Sequence, residues 1–133
     1  MKRLGLIVLV LISAFYAYGA LVHILNMVGL RGFDWLSAPL KWQVLDVVYL
    51  ALDVVVALGL WQRWRASIIA FYVAAFSQIA LYTIGRSWIM DVPEPFEQGP
   101  EAMTYLNGLV VFHVLSLALV TFALKARNAT TAA

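Results

Sequence analysis

Four long apolar runs constrain this chain more than anything else in it. They cover residues 4–30, 42–61, 66–88 and 103–124, and all four prolines (Pro39, Pro93, Pro95 and Pro100) stand between them, where no helical hydrogen-bond ladder is broken. As a helix rising about 1.5 Å per residue, the first run is roughly 40 Å long, enough for a ~30 Å hydrocarbon layer with tilt or overhang. In lipid the backbone must satisfy its own polar groups, so the runs are expected to be helices. The alternating ten-residue strands of a membrane barrel are not seen. Composition agrees: 64% of the residues are hydrophobic and 12% charged, against roughly half and a quarter in soluble domains. A soluble protein of 133 residues could not hide that much apolar surface, and a disordered chain needs the opposite balance.

Other classes fall away on the same reading. The chain has no cysteine, which excludes disulfide scaffolds and thiolate chemistry. Its net charge is +2, and no basic cluster is long enough to follow a phosphate backbone, so nucleic acid is not an expected partner. Lys2, Arg3 and the Ala17-Tyr18-Gly19 stretch resemble a cleavable signal. The apolar run nevertheless continues to Leu30, so it is expected to stay as a first membrane helix.

Charge placement sets the expected orientation. Lys2, Arg3, Arg63, Arg65, Lys125 and Arg127 fall on one side of the four spans, which the positive-inside rule makes cytoplasmic. The opposite side carries Arg31, Lys41 and Arg86 with Asp34, Asp91, Glu94, Glu97 and Glu101. Trp35, Trp42 and Trp88 mark one interface, and Trp61 and Trp64 the other. The expected fold is one membrane domain: an all-α, four-helix transmembrane bundle, up-down antiparallel, in a bacterial-type inner membrane with both termini cytoplasmic. Pro100-Glu101 is a good helix start. The NATTAA tail is expected to fray. Its Asn128-Ala129-Thr130 resembles a glycosylation acceptor but lies on the cytoplasmic side.

Polar residues at membrane depth carry the functional signal, because charge there is costly. Asp46 and Asp53 lie two turns apart on one face of the second helix with Tyr49 between them. Tyr16, Gly19, Ala20, His23, Asn26 and Met27 share a face of the first helix. Gln78, Tyr82 and Arg86 descend one side of the third, and the fourth contributes His113, with Asn107 on a different face. Counting from span midpoints puts Asp53, His113 and Gln78 near the bilayer centre, with His23, Asp46 and Tyr82 roughly 8–9 Å further out. The simplest bundle then has a central Asp53–His113 pair beneath an outer His23–Asp46–Arg86 group. Polar glue that fixes helix register, a ligand- or proton-handling pocket and a partner-facing patch all fit these residues.

Several ligand chemistries can be weighed on the same count. A bis-histidine haem needs two imidazoles at one depth, and His23 and His113 differ by roughly 8 Å, which argues against haem. His23, Asp46, Asp53 and His113 are suitable metal-ligand types, but no spaced metal motif is present and no metal is assigned. A quinone or other apolar ligand between helices suits the tyrosines and histidines and needs no special motif.

"YGALVHILNMVG" at the end of the first span and "LALDVVVALGLWQRWRASIIAFYVAAF" through the second and third, together with the length, resemble the DoxX-like group of small four-helix membrane proteins. Asp53, Leu58-Gly59 and Arg63/Arg65 match that group's acidic residue, Leu/Gly-rich run and basic turn, with aspartate in place of the commoner glutamate. His23 falls where some members carry a polar residue. The resemblance implies an association with membrane-bound oxidoreductase systems, sometimes as a quinone-reactive subunit. The leading expectation is a non-catalytic accessory or assembly subunit of a membrane complex, surrounded by lipid and other membrane subunits. The alternatives are a quinone-linked redox or proton-coupled protein using Asp53 and His113, and a small transporter.

Overall fold

The structure, a computed structural model, describes residues 2–128. The expected fraying of the tail, and Ala129 and Thr130 of the acceptor-like triplet, lie outside the described residues. Among those described, the chain is all helical: α1 (Lys2–Met27), α2 (Leu40–Gly59), α3 (Arg65–Thr83), α4 (Arg86–Met90) and α5 (Pro100–Asn128), with a 3₁₀ turn at Trp35–Ser37. Four of these helices, α1, α2, α3 and α5, are long and apolar enough to cross a membrane. They form a helical bundle in which α1 packs on α2 and α5, and α3 packs on the same two helices.

Outward-facing residues are as apolar as inward-facing ones. Ile7, Leu11, Phe15, Val48, Phe76, Val111 and Phe122 are all well exposed, which a helix against lipid tolerates and a helix against water does not. The dry core gathers Leu9 and Ile12 of α1, Val56 of α2, Leu60 just beyond it, Phe71 and Ala74 of α3, and Val120 and Ala123 of α5. This packing belongs to the first halves of α1 and α3 and the second halves of α2 and α5. The other half of the bundle is left for polar groups.

Helix ends follow local chemistry. At the end of α1 the Leu30 N–H bonds Leu25 O and the Gly29 N–H bonds Asn26 O, both at 3.0 Å, with Gly29 at φ 74°. That is a Schellman closure, and it ends the helix three residues short of the apolar run. The end of α2 closes the same way, Trp64 N–H to Gly59 O at 3.1 Å and Arg63 N–H to Leu60 O at 3.0 Å, with Arg63 in the left-handed position at φ 64°. Trp64 consequently folds back over Gly59, where a Cβ would lie 2.6 Å from the indole ring and 2.8 Å from Ser67 Cβ. Only glycine allows α2 and α3 this approach.

The span expected over 66–88 is divided. Thr83 Oγ1 bonds back to Ile79 O at 2.7 Å and the Gly85 N–H closes on Ala80 O at 2.9 Å, so α3 stops and Arg86 opens α4. Back-bonding threonine and a glycine together explain the break. α5 begins at Pro100 with Glu101 in its first turn, as expected from a residue lacking an N–H followed by an acid near the helix N-terminus.

Candidate functional site

The half of the bundle away from the dry core holds a partly open cavity of about 710 Å³, within the range of small-molecule sites, roughly 300–1,000 Å³. Its two sides differ. α1, α2 and α3 contribute Tyr16, His23, Asn26, Asp46, Tyr49, Asp53, Gln78 and Tyr82, while α5 contributes Leu106, Leu109 and Phe112 with Tyr105 and His113 as its ionisable groups. Six of the seven residues singled out in the sequence line this cavity; Arg86 does not.

Asp46 organises the outer part. Its Oδ1 accepts from Asn26 Nδ2 at 2.9 Å and lies 2.7 Å from His23 Nδ1, and its Oδ2 accepts from Trp35 Nε1 at 2.9 Å. A carboxylate only accepts, so His23 donates from Nδ1 and its Nε2 faces inward. There Nε2 meets Asp53 Oδ2 at 3.7 Å. The imidazole is thus oriented by one carboxylate and directed at a second, seven residues along the same helix face. Trp35 reaches Asp46 because Asp34 caps the 3₁₀ turn, its Oδ1 accepting from Leu36 N–H at 3.2 Å, and so ties the loop after α1 to the site.

Asp53 sits deeper, against Gly19. A Cβ at Gly19 would overlap Asp53 Oδ2 and lie 3.4 Å from Cγ, so the glycine makes the space the carboxyl occupies. His113 Nε2 lies 2.8 Å from Gln78 Oε1, and its ring packs edge-on against Tyr16 with centroids 6.3 Å apart. Asp53 Oδ1, His113 Nδ1 and Tyr16 Oη are buried with no hydrogen-bond partner among the described residues. Such groups are rare in native interiors.

Two expected pairings are corrected by these contacts. Asp53 faces His23 rather than His113, which pairs with Gln78 instead. Depth along a helix is countable from sequence, but the azimuth is set by which small residue opens the contact, here Gly19 on α1. Arg86 does not join Asp46. Its Nε donates to Tyr82 O at 2.7 Å and its Nη2 to Asn107 Oδ1 at 2.6 Å, because the break after Thr83 turns it toward α5. No group of three metal-ligating side chains is placed to hold an ion among the described residues.

The outer end of the cavity is framed by Phe33, Trp42 and Phe96, whose rings meet edge-on in all three pairs at 6.1–6.3 Å. Trp42 Nε1 also donates to Ile89 O at 3.0 Å. Lys41 Nζ donates to the carbonyls of Trp88 and Asp91 and lies 5.3 Å from the centroid of the Trp88 ring. Trp42, expected in an interfacial belt, thus touches both connecting loops through Phe33 and Phe96 and, with Lys41, ties α2 to α4. Comparison with known protein families, curated proteins and solved structures finds no match.

Proposed function

We propose that this chain is a multi-pass protein of a bacterial-type inner membrane that holds a small lipophilic molecule with a polar head in its intramembrane cavity. The observation that carries the reading is the set of three buried, unpartnered polar atoms on Tyr16, Asp53 and His113, residues that line a cavity to which α5 also brings Leu106, Leu109 and Phe112. Polar glue would pair its atoms with each other, as Asp46 does; a site leaves them for a ligand. The DoxX-like resemblance and the role of accessory or assembly subunit belong to the same proposal, supported by the two sequence stretches and the chain length and by the apolar outer surface, which suits both lipid and a partner subunit. The up-down arrangement with cytoplasmic termini rests on the six basic residues that share one side.

A second reading is favoured by one observation, the line Asp46–His23–Asp53. It is a proton-coupled or quinone-linked redox protein, with His23 in the place the sequence suggested for His113. Oriented imidazole between carboxylates is the usual arrangement for moving a proton.

Gentle purification followed by native mass spectrometry and an absorption spectrum tests the site. The expected result is a non-covalent adduct of small-molecule mass, with a second protein chain if the accessory role holds. A bare chain that also fails to bind any lipophilic probe would overturn the ligand site. For orientation, a fluorescent-protein fusion at the C-terminus is expected to glow, and an alkaline phosphatase inserted within residues 93–99 to be active. The reverse pattern would invert the topology.

A further inference from the structure

The inner end of the cavity can be read by asking which hydrogen-bond roles its free atoms leave for a ligand. Gln78 Oε1 accepts, so His113 Nε2 carries the hydrogen of their 2.8 Å contact, and in the neutral ring Nδ1 is then an acceptor. Asp53 Oδ1 is an acceptor. Tyr16 Oη can accept or donate. All three atoms are unpartnered among the described residues, and their residues are 3–4% exposed, so solvent at the outer loops does not serve them. The demand is for donors.

The charges point the same way. Asp46 and Asp53 both line the cavity, and the one basic side chain between them is His23, which meets both. Arg31 stands at the outer end, and Arg86 is held outside by Asn107 and Tyr82. Counting both aspartates as ionised, a protonated His23 offsets one of them, and the other positive charge of the lining, Arg31, belongs to the loop after α1 rather than to the inner end where Asp53 sits. Aromatic faces surround it, among them Tyr16, Tyr49 and Phe112, and such faces attract a desolvated cation.

Resting on the ligand-site reading above, we propose that the cavity takes a lipophilic primary amine as its ammonium ion, whose three N–H groups are received by Asp53 Oδ1, His113 Nδ1 and Tyr16 Oη. The apolar body lies along Leu106, Leu109 and Phe112 of α5. An oxidised quinone offers only acceptors and leaves Asp53 and His113 without a donor. A neutral alcohol offers one O–H for three places, and a quaternary ammonium offers charge with no N–H at all.

The test compares matched probes on the protein in zwitterionic-lipid nanodiscs by titration calorimetry: 4-phenylbutylamine, its N,N,N-trimethyl derivative, 4-phenylbutan-1-ol, and a short-chain benzoquinone with its quinol. The expected result is that the primary amine binds tenfold to a hundredfold more tightly than the alcohol, about what losing hydrogen bonds to a charged group costs. The trimethyl compound is expected to fall between them. Asp53→Asn is expected to bring the amine down to the alcohol's affinity. Equal affinity for amine and alcohol overturns the proposal, as does unchanged amine binding in a folded Asp53→Asn protein. If that variant does not fold, the probe series on the unsubstituted protein decides alone. Quinone or quinol binding better than the amine sinks the amine and keeps the ligand site. Binding of none of the probes sinks both.

Discussion

Asp46→Ala is expected to destabilise the folded protein by about 2–4 kcal/mol, because it deprives three donors of one acceptor. His23 Nδ1, Asn26 Nδ2 and Trp35 Nε1 all converge on this carboxylate at 2.7–2.9 Å. A donor left unsatisfied in a buried place costs ~1–3 kcal/mol. The low end applies here, since the partners are only part-buried and the separated helices of a membrane protein find other partners. The loss reaches beyond one helix pair, because the three donors come from α1 and from the 3₁₀ turn that follows it. Asp46→Asn is expected to cost about half as much: an amide keeps one accepting oxygen and sets its NH₂ against a donor. The unfolding mid-point followed by circular dichroism in mixed micelles measures this. A change below about 1 kcal/mol for Asp46→Ala would mean that the cluster does not hold the outer half of the bundle.

The site was legible in parts, and the division has a physical reason. Periodicity along one helix is fixed by 3.6 residues per turn, so Asp46, Tyr49 and Asp53 were placed on one face of α2, and all three are buried there. The faces carrying His23 and Asn26, and Gln78 with Tyr82, were equally readable, since these residues line the cavity. Partners across helices were not. Residue counting puts His23 and Asp53 in different layers roughly 8–9 Å apart, yet Nε2 and Oδ2 approach to 3.7 Å, because a side chain reaches along its helix as well as outward. Tyr16 and Gly19 were visible as members of the same stripe, but the need for glycine against Asp53 appears only when α2 is laid against α1. In the sequence Trp35 is an interfacial ring; in the structure it is a donor to Asp46. Its role depends on a loop conformation for which Asp34, one residue before it, was the only local signal. Arg86 turns to Asn107 and Tyr82 instead of Asp46 because helix α3 breaks at Thr83–Gly85, a break that no proline announces in the sequence.

Asp53→Ala is expected to change stability in the opposite direction from Asp46→Ala, although both remove a buried carboxyl from one helix face. Asp53 Oδ1 has no hydrogen-bond partner among the described residues, and Oδ2 faces His23 at a distance longer than a hydrogen bond. A charged residue at the centre of a membrane helix costs ~2.5–3.5 kcal/mol, reduced by whatever proton or partner it finds. Its removal is therefore expected to stabilise the unliganded protein by about 1–2 kcal/mol, net of the small void left beside Gly19. Binding of the ligand should be lost at the same time. That combination, a more stable protein that no longer binds, is the mark of a residue kept for function against the interest of folding. A helix-register role makes the contrary prediction, with Asp53→Ala destabilising the bundle as Asp46→Ala does. The two variants therefore need to be melted side by side in the same micelles, without ligand. A fall in mid-point for both would make Asp53 part of the scaffold, whereas a rise for Asp53→Ala beside a fall for Asp46→Ala would divide the pair into one carboxyl that builds the cavity and one that the cavity was built to present.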